Sequence, residues 1–120
     1  MSEGADVTIK ESKFDYFFGR VTSNPRNAQR SLDNLESLQK LGIDEAYGGR
    51  ERLMQIFHEG LNAHEIIEDR KISEQGLNIS RKVEVSGEEQ AGAIIVRYFY
   101  PDGNLSATPQ VISIVALIYK

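Results

Sequence analysis

The chain has 120 residues, of which 40% are hydrophobic and 27% are charged, and its formal net charge is −4 at pH 7. This length and composition predict one soluble globular domain over residues 1–120. The acidic balance argues against a protein that coats nucleic acid through its overall field, so any contact with RNA would have to be local. The absence of cysteine excludes disulfides, thiolate metal sites and a cysteine nucleophile.

The amino-terminal segment predicts an arm and does not resemble a secretory signal. Residues 1–6 lack the basic and apolar run of a secretory signal, and no stretch approaches the length of a membrane span, so we expect a cytoplasmic location. Residues 1–13 are expected to be a flexible arm. Four aromatic residues follow from Phe14 to Phe18, and we interpret residues 7–18 as an extended arm or short turn that packs on the core.

Two helices are predicted next. Asn24 is suited to an N-cap, and Pro25 to the first helical position, where its missing N–H costs nothing. Apolar residues then recur at helical spacing until Gly42, which predicts a helix over residues 25–41. A second apolar stripe predicts a helix over residues 48–61.

The rest of the chain predicts strands. Alternating apolar and polar residues over 77–85 are typical of a half-buried strand. A nearly continuous run of β-formers predicts a central strand over 93–100, and a further apolar run predicts a last strand over 111–119. Residues 64–72 fit either another strand or an irregular link. Helices first and strands last predict an α+β fold, in which two N-terminal helices pack on a small, mainly antiparallel C-terminal sheet.

Arginines are concentrated at the start of the first predicted helix. Arg20, Arg26 and Arg30 surround a helix end that by itself attracts anions. A bound phosphate or carboxylate, or acidic residues from elsewhere in the chain, would balance them. Arg26 and Arg30 are four residues apart and therefore share one helix face, with Asn27 beside them. A solvated charged face and an anion site are the two interpretations of this cluster.

Two further arginines lie in predicted strands. Alternation places Arg81 on the same side as Leu77, and Arg97 on the same side as Ile95. A charge on an apolar face must reach solvent or find a partner. These arginines either extend into water at the sheet margin or converge with the helix-start arginines on an anion, which the planar guanidinium binds well. The predicted anion-binding residues are Arg20, Arg26, Asn27, Arg30, Arg81 and Arg97.

Catalysis has few candidates in this sequence. Histidines are the usual general acids and bases near neutral pH, and the chain has two, His58 and His64. His58 lies close to apolar residues of the second predicted helix, which favours a structural role. The spacing of the two histidines fits no metal motif, so we expect neither a metal nor a cofactor. The candidate catalytic residues are His58, Arg30 and Ser31.

Four short motifs follow one another in the first half of the chain. They are Phe18-Gly19-Arg20, Asn27-x-x-Arg30-Ser31, Leu41-Gly42-Ile43 and Gly49-Arg50. Over residues 14–61 they resemble the C-terminal toxin domains of bacterial polymorphic toxins of the Rhs and filamentous-haemagglutinin types, and related small stand-alone cyanobacterial proteins. The resemblance implies a bacterial protein with a small ribonuclease-like α+β fold. A metal-independent ribonuclease of that kind would use His, Arg and Ser or Thr side chains around a phosphate.

The chain departs from the toxin pattern at two positions. Arg26 stands where the toxin domains carry histidine, and Arg20 stands where they carry lysine. The first difference removes the general base that the resemblance implies. Either another residue such as His58 takes its place, or the scaffold serves binding.

Three functions remain open from the sequence. The first is a small intracellular module that binds an anion or a partner without catalysis. The second is a metal-independent ribonuclease acting on RNA, and the third is a homo-oligomer joined edge to edge through strand 111–119. That strand is apolar on both sides, and two helices cover only one sheet face. We therefore expect a homodimer or another protein partner that buries part of residues 94–100 and 112–118, unless residues 7–18 cover the second face.

Overall fold

The computed structural model describes residues 7–21, 24–87 and 90–119. Helices and short strands come first and long strands last, so the predicted α+β fold is confirmed. In the described ranges the elements are β1 (Thr8–Ile9), α1 (Glu11–Phe17), α2 (Pro25–Lys40), α3 (Gly49–Gly60), β2 (His64–Glu65), β3 (Lys71–Ile72), β4 (Gly76–Ser86), β5 (Ala91–Pro101) and β6 (Gln110–Ile118). None of the helices in these ranges combines the length and the apolarity that crossing a membrane requires.

The two predicted helices and three predicted strands are present, each with ends within two residues of those expected. Asn24 caps α2 as predicted, because its side-chain oxygen accepts the N–H of Asn27 at 2.9 Å. Pro25 begins that helix. Gly42 follows its end with a φ of +80°, a left-handed conformation that stops a helix and favours glycine.

The extended arm or short turn predicted over residues 7–18 is wrong for most of that segment. Thr8 and Ile9 form β1, and α1 follows and buries Phe14 and Phe17 in the core. The segment does pack on the core, as expected. Of the predicted flexible arm, residues 1–6 lie outside the described residues. Helix α1 has seven residues, too few for a helical period to be recognised in the sequence.

One six-stranded sheet forms the second layer. Its order is β1–β6–β5–β4–β2, with β3 also paired with β4. The contacts of β1 with β6 are parallel, and all other pairs are antiparallel. The sequence leaves residues 64–72 open between a strand and an irregular link, and the structure contains both. The two-residue strands β2 and β3 are joined through a 3-10 turn at Ile67–Asp69.

The register of the long strands defines two faces of the sheet. The core face carries Leu77, Ile79, Arg81, Val83 and Val85 of β4, Ile94, Val96, Tyr98 and Tyr100 of β5, and Ile114 of β6. The open face carries Asn78, Ser80, Lys82 and Glu84 of β4, Ile95, Arg97 and Phe99 of β5, and Ser113, Val115 and Leu117 of β6.

The helices lie on the core face. Tyr98 of β5 contacts Phe57 of α3 through its phenol, and the ring of Phe17 in α1 contacts that of Phe57 edge to face. Four apolar residues of the open face take no part in the hydrophobic core: Ile95, Phe99, Val115 and Leu117. Residues 7–18, whose apolar side chains belong to the core, therefore do not cover the open face.

Candidate functional site

Among the described residues, one of the three helix-start arginines is paired with carboxylates and two are not. Arg20 forms ion pairs with Asp15, at 2.9 Å, and with Glu45. The hydrogen bond with Glu45 contributes most to the raised pKa of Arg20, and the hydrogen bond with Asp15 contributes next. Acidic residues from elsewhere in the chain thus balance this arginine. Arg26 and Arg30 are exposed on the first turns of α2, and within the described residues neither has a carboxylate partner.

Arg81 and Arg97 lie on opposite faces of the sheet. In the register of β4 and β5, Arg81 is opposite Val96, whereas Arg97 is opposite Ser80. This agrees with the sides assigned from the sequence. The Arg81 guanidinium donates to the carbonyl oxygen of Ala63 at 3.0 Å, and that of Arg97 donates to the Ser80 hydroxyl at 3.4 Å. Because the sheet separates the two groups, they do not contribute to one anion site.

A carboxylate on β2 lies close to Arg81. Glu65 is opposite Arg81 in the pairing of β2 with β4 and accepts two hydrogen bonds from Arg70, at 2.6 and 2.8 Å. The bond with Arg70 lowers the pKa of Glu65, and the positive charge of Arg81 acts in the same direction. Arg81 therefore belongs to an arginine–carboxylate–arginine cluster at the sheet margin. Its Nε is buried, and no group of the described residues forms a hydrogen bond with it.

His58 occupies a shallow cleft on α3. Its Nδ1 lies 2.8 Å from the carbonyl oxygen of Met54, one turn earlier, and the residue is half-buried. The cleft is lined by Arg50, Glu51, Met54, Gln55, His58 and Glu59. None of the six predicted anion-binding residues lines it. The structure does not bring His58 together with Arg30 or Ser31.

Ser31 joins two helices from a fully buried position. Its hydroxyl donates to the carbonyl oxygen of Tyr16 at 2.6 Å and accepts the N–H of Val21 at 3.3 Å. Both partners belong to the end of α1 and the turn after it. This geometry holds α2 against α1 and leaves the hydroxyl without access to solvent.

Sequence reasoning missed that Arg97 lies in the middle of a polar row across the open face. The strand register places Ser80 on one side of it and Ser113 on the other. Arg97 is half-buried, and no carboxylate in the described residues pairs with it. In the next row, the side-chain oxygen of Asn78 is buried, and no donor among the described residues reaches it. Ser80 is fully buried, whereas Arg97 and Ser113 are half-buried. The row thus offers the guanidinium of Arg97 and the hydroxyl of Ser113 to a polar group from outside.

Apolar residues and a second cation lie on the other side of this row. Ile95 is flanked by Lys82 and Val115, and Val115 is 47% exposed. The Lys82 ammonium lies 5.5 Å from the centre of the Tyr119 ring and 3.7 Å from the Glu84 carboxylate. Hydrogen bonding and charge interaction with Tyr119, followed by the charge of Glu84, raise the pKa of Lys82. The charge of Lys82 is therefore partly compensated by Glu84, whereas no described carboxylate compensates that of Arg97.

The charge of this face differs in sign from that of the whole chain. Lys71 is opposite Asn78 and so lies on the open face as well. In the described residues the open face carries three cationic side chains, Lys71, Lys82 and Arg97, and one carboxylate, Glu84. The chain as a whole has a net charge of −4. The open face is therefore a locally cationic surface on an acidic protein. Only the register, which joins residues distant in sequence, reveals it.

The fold has a close structural neighbour. It is similar to one chain of a contact-dependent growth inhibition toxin–immunity protein complex from Klebsiella pneumoniae 342, with a TM-score of 0.72 and 17% sequence identity. The similarity covers 91% of this chain and 98% of that chain. No protein-family model matches the sequence, and no curated protein matches it. The sequence resemblance is to the C-terminal toxin domains of polymorphic toxins, and the structural similarity supports the coarser statement of a fold like that of a toxin or immunity protein.

Proposed function

We propose that this protein is a non-catalytic binding module that holds acidic groups of a protein partner on the open face of its sheet. The observation that carries the proposal is the half-buried guanidinium of Arg97, which lies between Ser80 and Ser113 and has no carboxylate beside it in the described part of the chain. The structural neighbour supports a protein partner, because that chain belongs to a complex of two proteins.

The chemistry of the row favours a carboxylate. A guanidinium presents a planar fork of N–H donors that matches the two oxygens of a carboxylate, and the bonds are strengthened by charge. The half-buried hydroxyl of Ser113 can donate to the same group. The Ser80 hydroxyl is fully buried and accepts from Arg97. A partner that covers this row would also remove water, which makes the attraction stronger than at an exposed surface.

The apolar neighbours favour a protein over RNA. Ile95, Val115 and Leu117 extend the surface beyond the polar row, and apolar area of this kind is covered by protein side chains. Binding of RNA gains most of its affinity from many phosphate contacts. A net charge of −4 opposes such binding.

A random peptide library, displayed on phage and selected on the purified protein, tests the proposal. We expect the enriched peptides to combine Asp or Glu with apolar residues. Their affinity should fall at least about tenfold in Arg97→Met, since a hydrogen bond to a charged group contributes roughly 1.5–3 kcal/mol. The Arg52→Met variant is the matched control, because Arg52 is also half-buried but lies on α3, away from the open face. It should bind as wild type does. Peptides without acidic residues, or equal binding by Arg97→Met, would overturn the proposal.

The ribonuclease alternative has its own assay. It would rely on His58, whose cleft contains one cation, Arg50. Incubation of the protein with total tRNA in the presence of EDTA should leave the tRNA intact if the module only binds. Cleavage that is lost in His58→Ala would replace the binding proposal with a metal-independent nuclease.

A further inference from the structure

Strand β6 has a long unpaired edge. One side of β6 pairs with β5 along most of its length, whereas on the other side β1 pairs only with Gln110 and Val111. Alternate residues of an antiparallel strand direct their N–H and C=O groups away from the neighbouring strand. From Ile112 to Ile118, the groups that point away from β5 have no hydrogen-bond partner within the described residues.

The side chains of this edge do not protect it. Natural proteins usually guard an exposed edge with charged residues, proline or a covering element, because a free edge is a template for another strand. Residues 112–118 read Ile-Ser-Ile-Val-Ala-Leu-Ile and contain neither a charge nor a proline. At the other margin of the sheet, β2 and β3 pair with Leu77, Asn78, Arg81 and Lys82 of β4. Residues 83–86 of β4 have no strand partner on that side within the described residues, but this stretch is shorter and carries the charge of Glu84.

We propose that β6 pairs antiparallel with β6 of a second copy of this chain, about a two-fold axis at Val115. This register places Val115 opposite its own copy and Ile112 opposite Ile118 of the second copy. The remaining pairs are Ser113 with Leu117 and Ile114 with Ala116. No pair brings like charges together, and most pairs join two apolar side chains, which stabilises neighbouring strands. The segment is thus complementary to itself.

A cleft beside the edge is the second observation that favours this occupant. It has a volume of about 440 Å³ and lies between α1 and the start of β6. Its lining residues are Ser12, Lys13, Tyr16, Phe17, Val21, Ile112, Ser113 and Ile114. Because Ile118 of the second copy is opposite Ile112, its apolar side chain lies at this cleft. Because of the two-fold axis, Ile118 of each copy lies at the cleft of the other copy.

The dimer does not depend on Arg97, the residue that carries the anion-binding proposal. It uses backbone groups and side chains of β6, whereas Arg97 lies on the neighbouring strand β5. Pairing of the two copies would join their open faces into one continuous surface. The Arg97→Met variant should therefore dimerise as wild type does, so that failure of one proposal is distinguishable from failure of the other.

Sedimentation and light scattering over a concentration series give the first test. We expect a dimer at tens of micromolar for wild type and for Val115→Thr, a β-branched control of similar shape. In Val115→Lys two like charges would meet at the two-fold axis, so the dissociation constant should rise about tenfold or more. A wild-type monomer at all concentrations, or an unchanged dimer in Val115→Lys, would overturn the proposal.

Disulfide trapping gives the second test and identifies the interface. The chain contains no cysteine, so a single introduced thiol reports its own neighbours. Directly opposite Cβ atoms of paired strands are about 4.5–5.5 Å apart, and oxidation should therefore link Val115→Cys into a covalent dimer. Ile95, which neighbours Val115 on the open face but lies on the central strand β5, is the control position. Equal cross-linking of Ile95→Cys would indicate dimers stacked through their open faces and would refute edge pairing.

Discussion

The phenol of Tyr98 donates a hydrogen bond of 2.6 Å to the main-chain carbonyl oxygen of Phe57. Tyr98 is fully buried on the core face of β5, and Phe57 lies in the last turns of α3. This bond joins the sheet to the helix that carries His58. Buried phenols usually have such a partner, since an unpaired buried hydroxyl is costly.

Removal of that hydroxyl should destabilise the fold. In Tyr98→Phe the ring remains and the bond to Phe57 is lost, so we expect the free energy of unfolding to fall by about 1–2 kcal/mol. Urea denaturation monitored by circular dichroism measures the change. Tyr47→Phe is the matched control, because Tyr47 is 88% exposed. Equal stability of the two variants would contradict the role assigned to the buried bond.

The same residue predicts a loss of stability at high pH. Burial raises the pKa of Tyr98, so the folded protein keeps the phenol protonated where the unfolded chain ionises it, near pH 10. A raised pKa contributes stability below the unfolded value, and that contribution is lost as the pH rises above it. The free energy of unfolding should therefore fall more steeply above about pH 10 in wild type than in Tyr98→Phe. Parallel curves for the two proteins would contradict this.

Gly60 is expected to be intolerant of a larger side chain because of the same contact. A Cβ built at Gly60 would lie 2.1 Å from the phenol oxygen of Tyr98 and 3.3 Å from a methyl carbon of Val83. Gly60→Ala should thus destabilise the protein, and the penalty should be smaller in the Tyr98→Phe background, where the clashing oxygen is absent. A double-mutant cycle by urea denaturation measures this coupling. Strict additivity would show that α3 shifts to accommodate the methyl group.

Ser31 distinguishes a structural hydroxyl from a catalytic one. Its substitution by alanine leaves the carbonyl oxygen of Tyr16 and the N–H of Val21 without their buried partner. We expect Ser31→Ala to lower the free energy of unfolding by about 1–3 kcal/mol. Ser12→Ala, an exposed serine on α1, should be nearly neutral. A Ser31→Ala protein of wild-type stability would contradict the structural role and favour a catalytic role for this hydroxyl.

The sequence predicts what depends on neighbours along the chain. Asn24 and Pro25 mark the start of α2 because a cap acts within one turn, and alternation assigns Arg81 and Arg97 to sides that the register confirms. Contacts between residues that are distant in the sequence could not be predicted in this way. Glu45 pairs with Arg20 across 25 positions, and the placement of Ser80 and Ser113 beside Arg97 depends on how three strands align. The cationic open face arises only from that alignment.

The anion site predicted at the start of α2 remains a separate prediction from the open face. Arg26 and Arg30 are exposed, lack carboxylate partners in the described residues, and lie near a helix end whose N–H groups favour negative charge. Titration with inorganic phosphate, followed by the unfolding temperature, should show stabilisation of wild type that is lost in the Arg26→Ala, Arg30→Ala double variant. Arg20 is paired with Asp15 and Glu45. The Arg20→Ala variant therefore tests whether a nearby arginine that is already paired contributes to phosphate binding. Equal phosphate response in the double variant and wild type would leave a solvated charged face as the interpretation of this cluster.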